Sequence, residues 1–436
     1  MKGKFLVVLV VLSMVVAACA APTPQVVEKE VVVEKPVIET VVIEKEFRLA
    51  SVKMGVLIPL TGPLAEFGDA FRKVGFLTAV QLGEAGMPTE LLNVDTETSA
   101  VPAVEAARML VDVEGVQVLI GAAASGVSRP VAESVAIPSG IPQISYASTS
   151  PVFTVLPADE GKDLFFRTCP SDAIQGVVLG TLASELYKTA AVLWVNNPYG
   201  KGLMEQFTKS FELRGGEVIA SVPHDEAPAT SYVAELRQAT EGNPDVLVCI
   251  SYPGHSTVYL KEAIEGAFID EFLFCDGTKS VNTPAEVGPE YLEGMKGTAP
   301  AASAAASADL FEENYARAYG EAPPLPFITN IYDAIAVARL AAAKCEVDGL
   351  EVTPICIRDN LRVVANPPGE TITVGTAAFE KAIGLLREGK DINYEGVNGL
   401  DFDQYGDMVG PIEIWQYVTA APYIERVDLV TEIPPE

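Results

Sequence analysis

The sequence predicts an α/β protein made of two doubly wound, Rossmann-like lobes that are joined by three crossover segments. Short, β-rich apolar runs alternate with amphipathic helical stretches along the chain, which is typical of parallel sheets with helices on both faces. The runs 56–58 and 118–120 are apolar throughout, as strands covered on both sides should be. A second series of the same kind starts at Ala190, so the chain holds enough units for two sheets.

Two series of elements follow from this alternation. The first comprises strand 52–59, helix 65–82, strand 91–95, helix 101–113, strand 118–121 and helix 129–136. The second comprises strand 190–195, helix 201–214, strand 218–222, helix 231–241, strand 246–250, helix 256–266 and strand 272–275. The later stretch 315–344 also has a helical pattern, and its apolar face is left over if the second lobe is already complete. We therefore expect the chain to return to the first lobe.

The lobe boundaries are predicted from that return of the chain. Crossings between the lobes are expected near 167–171, near 297–303 and near 411–414. The predicted first lobe takes residues 51–168 and 302–411, and the predicted second lobe takes residues 169–301 and 412–436. Crossings of this kind form a hinge, and the cleft between the lobes is then the expected ligand site.

The N-terminal residues predict export and a lipid anchor. Lys2 and Lys4 precede the unbroken apolar run 5–16, which is too short for a comfortable membrane span and fits a signal peptide over residues 1–18. The sequence VAAC that ends at Cys19 resembles the bacterial lipobox. The alternatives are an ordinary signal peptide or a buried helix with an incidental cysteine. We predict an exported protein, in the periplasm or at the outer face of the cell membrane, anchored by lipid on Cys19.

Residues 19–50 are predicted to form a low-complexity tether. A hydrophobic-Glu-Lys motif recurs at 27–29, 33–35 and 43–45, and no aromatic residue stands between Cys19 and Phe47. The segment therefore has no packed core of its own and would hold the folded part off the membrane. A coiled coil or a stack of strands is the rival interpretation, because closely spaced valine pairs also pack against each other.

Charge and cysteine content limit the classes of partner and site. The formal charge of −29 argues against nucleic acid as a partner, because its phosphates would be repelled. No CxxC pair is present, so the sequence gives no sign of a zinc ribbon or of another metal site. In an oxidising compartment we expect a disulfide between Cys345 and Cys356, which flank a short polar segment. Cys249 and Cys275 lie in apolar strand-like runs and are expected to be buried thiols.

Small and hydroxylated residues follow two strands of the predicted first lobe. In open α/β sheets, ligands bind at the carboxyl ends of the strands. Ser125 lies in the small-residue turn 121–126, and Ser148 and Thr149 lie in the hydroxyl-rich turn 145–151. Ser125 and Thr149 are therefore candidates for binding a carboxylate. The alternative is helix capping, because Ser and Thr are favoured at helix starts for their own sake.

Three candidate residues follow strands of the predicted second lobe. Asp276 stands at a strand end, where its carboxylate would pair with a ligand ammonium, and the alternative is that it caps the following turn. Tyr199 and Tyr252 offer apolar walls with a hydroxyl tip, and the alternative is packing on the lobe surface. A carboxylate site facing an ammonium site suits a zwitterion.

From about Lys53 to Trp415 the chain resembles the branched-chain amino-acid type of periplasmic binding protein, a type I fold that serves ATP-driven importers. The pieces that carry the resemblance are IPLTGP at 58–63 with Phe67, the turns at Ser125 and 147–151, RTCPSD at 167–172, PYG at 198–200, the Asp276 turn and YDA at 332–334. Their order and spacing are specific, although no single piece is.

The resemblance implies roles for the matching positions. Ser125, Ala147 and Thr149 would contact the ligand on its carboxylate or α-carbon side, and Asp276 would bind its ammonium. The positions implied to contact the ligand body or to border the pocket are Phe67, Tyr199, Tyr252 and Tyr332. The chain lacks the cysteine that some relatives carry at Ala124. The implied partners are ABC permease and ATPase subunits, with the protein a monomer that needs no cofactor.

Three other functions are weighed against a solute-binding role. An enzyme is disfavoured because the chain has only His224 and His255 and no GxSxG, P-loop or HExxH motif, although the position of His255 near a strand end admits a general base. The acidic run 401–407 suggests a calcium loop, but Tyr405 takes a ligand position, and a hairpin turn is favoured. A sensor that signals to a membrane receptor is the third alternative, because the same clamp serves both uses.

Overall fold

The computed structural model describes residues 49–303, 305–320 and 322–435. The predicted signal peptide, the predicted lipidation site Cys19 and nearly all of the predicted tether lie outside these residues. Within them, no helix combines the length and the apolar character that crossing a bilayer would require.

The first sheet has five parallel strands: β1 (Val52–Ile58), β2 (Thr89–Asp95), β3 (Val118–Ile120), β4 (Gln143–Ser145) and β5 (Phe165–Arg167). Their order across the sheet is β2-β1-β3-β4-β5. Every residue of β3, β4 and β5 is buried. The uninterrupted apolar pattern read from the sequence at 118–120 thus corresponds to a strand covered on both faces.

The second sheet has seven strands: β6 (Thr189–Val195), β7 (Glu217–His224), β8 (Val246–Ile250), β9 (Phe272–Phe274), β10 (Lys296–Pro300), then β13 (Ile412–Tyr417) and β14 (Ile424–Val430). A separate two-stranded ribbon pairs β11 (Glu370–Ile372) with β12 (Ile392–Tyr394). The order of the second sheet is β14-β13-β10-β9-β8-β6-β7, and only the pairs formed by β13 are antiparallel.

Helices cover both sheets. They are α1 (Ala65–Glu84), α2 (Ala100–Asp112), α3 (Ser125–Val131), α4 (Ile137–Ser139), α5 (Asp172–Leu186), α6 (Pro198–Leu213), α7 (Val233–Thr240), α8 (Pro253–Glu265), α9 (Asn282–Val287), α10 (Ala305–Tyr319), α11 (Ile328–Val347), α12 (Pro354–Ala365) and α13 (Thr376–Arg387). A π-helical turn, Ala132–Ala136, joins α3 to α4. The predicted helix 129–136 therefore starts earlier and ends later than expected, while the other predicted elements differ mainly by a few residues at their ends.

The chain returns to the first sheet after the second one, as the apolar face of residues 315–344 predicts. Helix α11 packs against α1 and against strands β3 and β4. The single helical stretch expected there is corrected to two helices, because α10 ends at Tyr319 and α11 begins at Ile328. The prolines at 323, 324 and 326 lie between them, and proline lacks the N–H that a helix needs and restricts the residue before it.

Three segments connect the two lobes built on these sheets. The chain leaves the first sheet after β5, returns after β10 and crosses again before β13. The helix that follows the first crossing, α5, packs on β10 and β13 of the second sheet. The predicted fold class is confirmed, while the lobe boundaries at 168/169, 301/302 and 411/412 stay a prediction.

A disulfide joins two helices on the first-lobe side of the molecule. The sulfur atoms of Cys345, on α11, and Cys356, on α12, are 2.07 Å apart, and the two cysteines are 11 residues apart in the chain. The other cysteines among the described residues, Cys169, Cys249 and Cys275, are buried free thiols. Burial raises the pKa of each of these three thiols, so they stay protonated and unreactive.

Replacing both Cys345 and Cys356 by alanine should lower the free energy of unfolding by about 2–3 kcal/mol, because a closed loop of this size restricts the unfolded chain. Urea unfolding of the purified protein measures the change. Wild-type protein under reducing conditions is the control and should unfold at the midpoint of the double variant. An unchanged midpoint in the variant would show that the disulfide does not stabilise the fold.

Candidate functional site

A cavity lies between the two lobes, at the carboxyl ends of strands from both sheets. Its lining from the first lobe is Leu64, Phe67, Phe71, Ala123, Ala124, Ser125, Ala147 and Phe327, and from the second lobe Tyr199, Tyr252, Asp276 and Gly277. Six of the residues predicted to contact a ligand therefore share one cavity. They are Phe67, Ser125, Ala147, Tyr199, Tyr252 and Asp276.

The first-lobe wall presents one hydroxyl group, that of Ser125, and no charged side chain. Ser125 is buried, and its Oγ accepts a hydrogen bond from the backbone N–H of Ser150 at 3.2 Å. Its side chain does not cap α3, whose N-cap position is held by Ala124. The Thr149 hydroxyl is fully buried and has no hydrogen-bond partner of ordinary geometry in the protein. The Ser125 hydroxyl is therefore available at the cavity, whereas Thr149 does not line the cavity and its hydroxyl acts on the neighbouring Asp172, whose pKa it lowers.

Arg167, at the end of β5, holds the turn that carries Thr149. Its guanidinium pairs with Asp407 through two contacts of 2.6 Å. Its Nη1 donates to the three consecutive backbone carbonyls of residues 148–150, at 2.9–3.2 Å. Because arginine carries five donors in a rigid fork, one side chain fixes the whole turn. The sequence shows Arg167 only as an arginine at a strand end, which gave no sign of this positioning role.

The second-lobe wall is formed by two stacked tyrosines. The rings of Tyr199 and Tyr252 lie 5.6 Å apart at an angle of 12°. Nδ2 of Asn197 donates to the Tyr252 hydroxyl at 3.0 Å, and the Tyr199 hydroxyl donates to Oδ1 of Asp276 at 2.9 Å. The tyrosines thus present flat apolar faces to the cavity, and their hydroxyl groups fix the polar groups around them.

Asp276 is a buried carboxylate on the cavity wall. Burial raises its pKa from 3.8 to about 6, even though hydrogen bonds from Gln175 and Tyr199 lower the pKa. Nε2 of Gln175 donates to the same oxygen as Tyr199, Oδ1, at 2.8 Å. The side chain does not cap the short 3₁₀ turn 276–278, whose N-cap is Cys275. Its charge is therefore held at the cavity and only partly compensated by neutral donors.

Asp172, the first residue of α5, is a second buried carboxyl group beside Asp276. Burial raises its pKa well above the ordinary value and the negative charge of Asp276 adds to the rise, while the Thr149 hydroxyl and Arg167 offset part of it. Among residues 49–303, 305–320 and 322–435, neither carboxyl group forms an ion pair with a lysine or an arginine. Two carboxyl groups thus share a buried space, which favours keeping a proton on the pair.

The surroundings of this carboxyl pair are rich in acceptors that lack donors. The buried oxygens without a hydrogen-bond partner in the protein are Oγ1 of Thr149, both carboxyl oxygens of Asp172, Oε1 of Gln175 and Oγ1 of Thr298. Buried polar groups are normally paired, and a bound group with N–H donors would supply partners for these oxygens. A group that brings both N–H donors and positive charge, such as an ammonium, satisfies the cluster best. This role for Asp172 could not be predicted from the sequence, because Ser171-Asp172 has the form of an ordinary helix start.

Three of the predicted ligand contacts, Ser148, Thr149 and Tyr332, do not line the cavity. The Tyr332 hydroxyl donates to Oε1 of Gln81 at 2.6 Å and accepts from the N–H of Gly375 at 2.9 Å, so Tyr332 packs inside the first lobe and does not line the cavity. The aromatic residue that lines it from this part of the chain is Phe327. The Ser148 hydroxyl is turned inward, where it bonds to Oγ of Ser128 at 2.7 Å.

The two histidines, although distant in the sequence, lie together behind the tyrosine wall. The rings of His224 and His255 are 4.8 Å apart and buried. His255 Nδ1 lies 3.0 Å from the Tyr232 hydroxyl. Burial, with a smaller contribution from the neighbouring His224, lowers the pKa of His255 to about 3. Neither histidine lines the cavity, so their placement gives no support to a general base acting there.

The acidic run 401–407 forms a turn that closes on its own backbone. Oδ1 of Asp403 accepts from the N–H groups of Tyr405 and Asp407, at 2.7 and 3.0 Å. The side chain of Asp407 is taken by Arg167. Within the described part of the chain, no group of three or more acidic, histidine or cysteine side chains is arranged to hold a metal ion.

Comparisons with known proteins agree with this architecture. Residues 51–366 match the family model described as periplasmic binding protein. The substrate-binding protein BasB, from a chemotactic signal transduction system of Halobacterium salinarum, is 28% identical over 361 residues, which are 80% of this chain and 82% of that protein. The match to the family model spans most of the chain.

Two solved structures share the fold. One is the branched-chain amino acid transporter substrate-binding protein LivJ from Streptococcus pneumoniae in complex with isoleucine, with a TM-score of 0.70, 21% identity, and coverage of 88% of this chain and 100% of that one. The other is a solute-binding protein of an ABC transporter from R. palustris in complex with benzoate, with a TM-score of 0.69, 18% identity, and coverage of 89% and 98%. The chain belongs to the periplasmic binding protein family, which acts outside the cytoplasm, and it has the type I fold.

Proposed function

We propose that this protein is an extracytoplasmic solute-binding lipoprotein that captures a small amino-acid-like ligand between its lobes and delivers it to an ABC importer. The observation that carries the proposal is the buried carboxyl pair of Asp276 and Asp172 at the cavity, which lacks an ion-pair partner among the described residues. Buried charges are normally paired, so the missing positive charge is expected on the ligand.

Each lobe supplies one half of a zwitterion site. The first lobe would offer the Ser125 hydroxyl to the ligand carboxylate, with Thr149 behind it, and the second would offer Asp276 to the ammonium, with Asp172 behind it. A hydrogen bond to a charged group contributes about 1.5–3 kcal/mol. Only a ligand that touches both lobes favours closure, because differential contact is what shifts a two-state population. The apolar part of the ligand would lie against Phe67 and the two tyrosines.

An aromatic carboxylate is the competing ligand class, since a relative in fold binds benzoate. Benzoate has no ammonium, so binding it would leave the carboxyl pair uncompensated and add a further negative charge nearby. Like charges in a buried site disfavour the charged forms. The charge arrangement therefore favours an amine-bearing ligand over a simple acid.

The proposed delivery to an importer implies the other partners of the protein. The protein would act as a monomer, held at the outer face of the membrane by lipid on Cys19 and by the tether 19–50, and would dock on a permease served by an ATPase. No cofactor is required, and the charge of −29 disfavours nucleic acid.

A second candidate function is a sensor domain that works with a membrane receptor. The specific observation in its favour is the similarity to BasB, which is named for a chemotactic signal transduction system. Both functions need the same ligand-driven closure, and they differ in the membrane protein that recognises the closed form.

A thermal-shift screen tests the ligand class. We expect at least one standard L-amino acid to raise the melting temperature, whereas its deaminated and decarboxylated analogues do not. For leucine these are 4-methylpentanoate and 3-methylbutylamine. Each analogue has the charged group for only one of the two lobes, so it lacks the contacts with the other lobe that favour closure.

Two variants accompany that screen. Asp276→Ala is the test variant, and Asp270→Ala is its matched control. Asp276→Ala should weaken binding about a hundredfold or more, because it removes one partner of a buried charge pair. Asp270 is exposed just before β9, and its replacement should leave the response unchanged. Stabilisation by benzoate, with no response to any amino acid, would overturn the proposed ligand class.

The uncompensated charge also predicts the stability of the protein without a ligand. Asp276→Asn keeps the Oδ1 acceptor for Gln175 and Tyr199 but removes the buried charge. The folded pKa of Asp276, about 6, lies above the ordinary value of 3.8, so ionising the group costs stability above pH 6. This cost is relieved as the pH falls through about 6 towards 4.

We therefore expect Asp276→Asn to stabilise the ligand-free protein at pH 7 by about 1–3 kcal/mol. The gain over the wild type should shrink at pH 4.5, where the wild-type carboxyl group is protonated. Urea unfolding at the two pH values measures both differences. A variant that is destabilised equally at both would show that Asp276 is compensated within the protein.

A further inference from the structure

The two lobes meet beside the cavity along the segment that links β1 to α1. The backbone N–H of Gly254, at the start of α8, donates to the carbonyl of Pro63 at 3.0 Å. A Cβ atom on Gly254 would stand 2.8 Å from the Cα of Pro63, so the approach is close enough to require glycine. This contact brings the first turn of α1 against the second lobe.

Glu66, in that first turn, reaches across to the second lobe with its side chain. Its Oε2 accepts from the Ser280 hydroxyl at 2.5 Å. Its Oε1 accepts from the backbone N–H groups of Val281 at 2.8 Å and of Asn282 at 3.2 Å. Residues 280–282 follow β9 and lead into α9, on the second sheet. One carboxylate of the first lobe therefore accepts three hydrogen bonds from the second.

We propose that Glu66 is the latch of the clamp, a positioning residue whose carboxylate holds the lobes in the closed arrangement through Ser280, Val281 and Asn282. This proposal rests on the proposed solute-binding function, since closing around a ligand is what the latch would serve. It identifies a residue that acts on closure and does not line the cavity, since the cavity is bordered by its neighbours Leu64 and Phe67.

The chemistry of the contact suits a reversible latch. Glu66 is partly buried, and burial raises its pKa, with a smaller rise from the negative charge of Glu286, while the hydrogen bonds from Ser280, Val281 and Asn282 lower it. In an open clamp the carboxylate would recover water, so the net gain on closing is modest. A contact that stays formed would instead be an ion pair such as Lys279–Glu413, in which both side chains are buried.

The latch residues lie close in the sequence to residues that line the cavity. Phe67 lines the cavity and follows Glu66 directly, and Ser280 stands four residues after Asp276. Closing the latch therefore brings the aromatic wall of the first lobe and the carboxylate of the second towards each other. A ligand that bridges the two walls and the latch that bridges the two lobes would stabilise the same state.

Distances between nitroxide labels test the latch. One label is placed at Asp112→Cys on α2 and the other at Glu212→Cys on α6, both exposed, while the free cysteines among the described residues are buried. Wild-type, Glu66→Gln and Ser280→Ala proteins are measured alone and with a mixture of the standard L-amino acids. We expect each variant to lower the ratio of closed to open molecules by about tenfold, as loss of one charge-assisted hydrogen bond predicts.

The matched control is Glu105→Gln, which changes an exposed glutamate on α2 of the first lobe and should leave the distances as in the wild type. Cooperative thermal unfolding of each variant verifies that it is folded. Ratios equal to those of the wild type in both latch variants would overturn the proposal, as would a wild-type protein that never populates the closed distance. If the wild-type distances do not change when the amino acids are added, the proposed ligand class is wrong. The latch is then tested by comparing the closed-to-open ratios of the ligand-free wild type and variants.

Discussion

The site depends on one electrostatic constraint, which is the presence of two buried carboxyl groups without a protein cation between them. Asp276 and Asp172 lie on the second-lobe side of the cavity, and burial raises the pKa of both. The donors that bond to Asp276 are neutral groups, the side chains of Gln175 and Tyr199 and the backbone N–H of Gly277. The folded chain thus retains an electrostatic cost that a ligand ammonium would relieve, and relief of a retained cost is a source of binding energy.

Other buried charges in the same molecule show that this arrangement is not a general feature of its core. Arg167 is matched by Asp407 and by three carbonyls. Asp333 also has its pKa raised by burial to about 6, but its oxygens accept from Tyr394, Val397 and Asn398. A raised pKa therefore does not distinguish a structural carboxylate from a binding one here. What distinguishes Asp172 from Asp333 is the number of its acceptors that are left without donors.

Most of the fold could be predicted from the sequence, because buried parallel strands and amphipathic helices leave distinct periodic patterns. The position of the site was also predictable, since polar turns follow strands whose carboxyl ends must meet at one edge. Ser125, Tyr199 and Asp276 line the cavity for this reason. The break between α10 and α11 was missed because the helical pattern was carried through three prolines, and that break decides which aromatic residue borders the cavity, Phe327 rather than Tyr332.

The residues that sequence reasoning missed act through contacts between distant parts of the chain. Asp172 has the local form of a helix start, and Glu66 that of an acidic first-turn residue, so local rules explain both without any role at the site. Their function arises because Asp172 lies beside Asp276 and Glu66 lies beside Ser280. No local pattern carries such information, since it depends on the way the two lobes are brought together.

Proton exchange during binding tests the central claim most directly. Calorimetric titration of an amino acid that stabilises the protein, at pH 6 in buffers with different ionisation enthalpies, measures the number of protons released or taken up. An ammonium bound at the carboxyl pair lowers the pKa of the pair, so about one proton should be released. Proton uptake, or no exchange at all, would contradict the assignment of the carboxyl pair as the ammonium site.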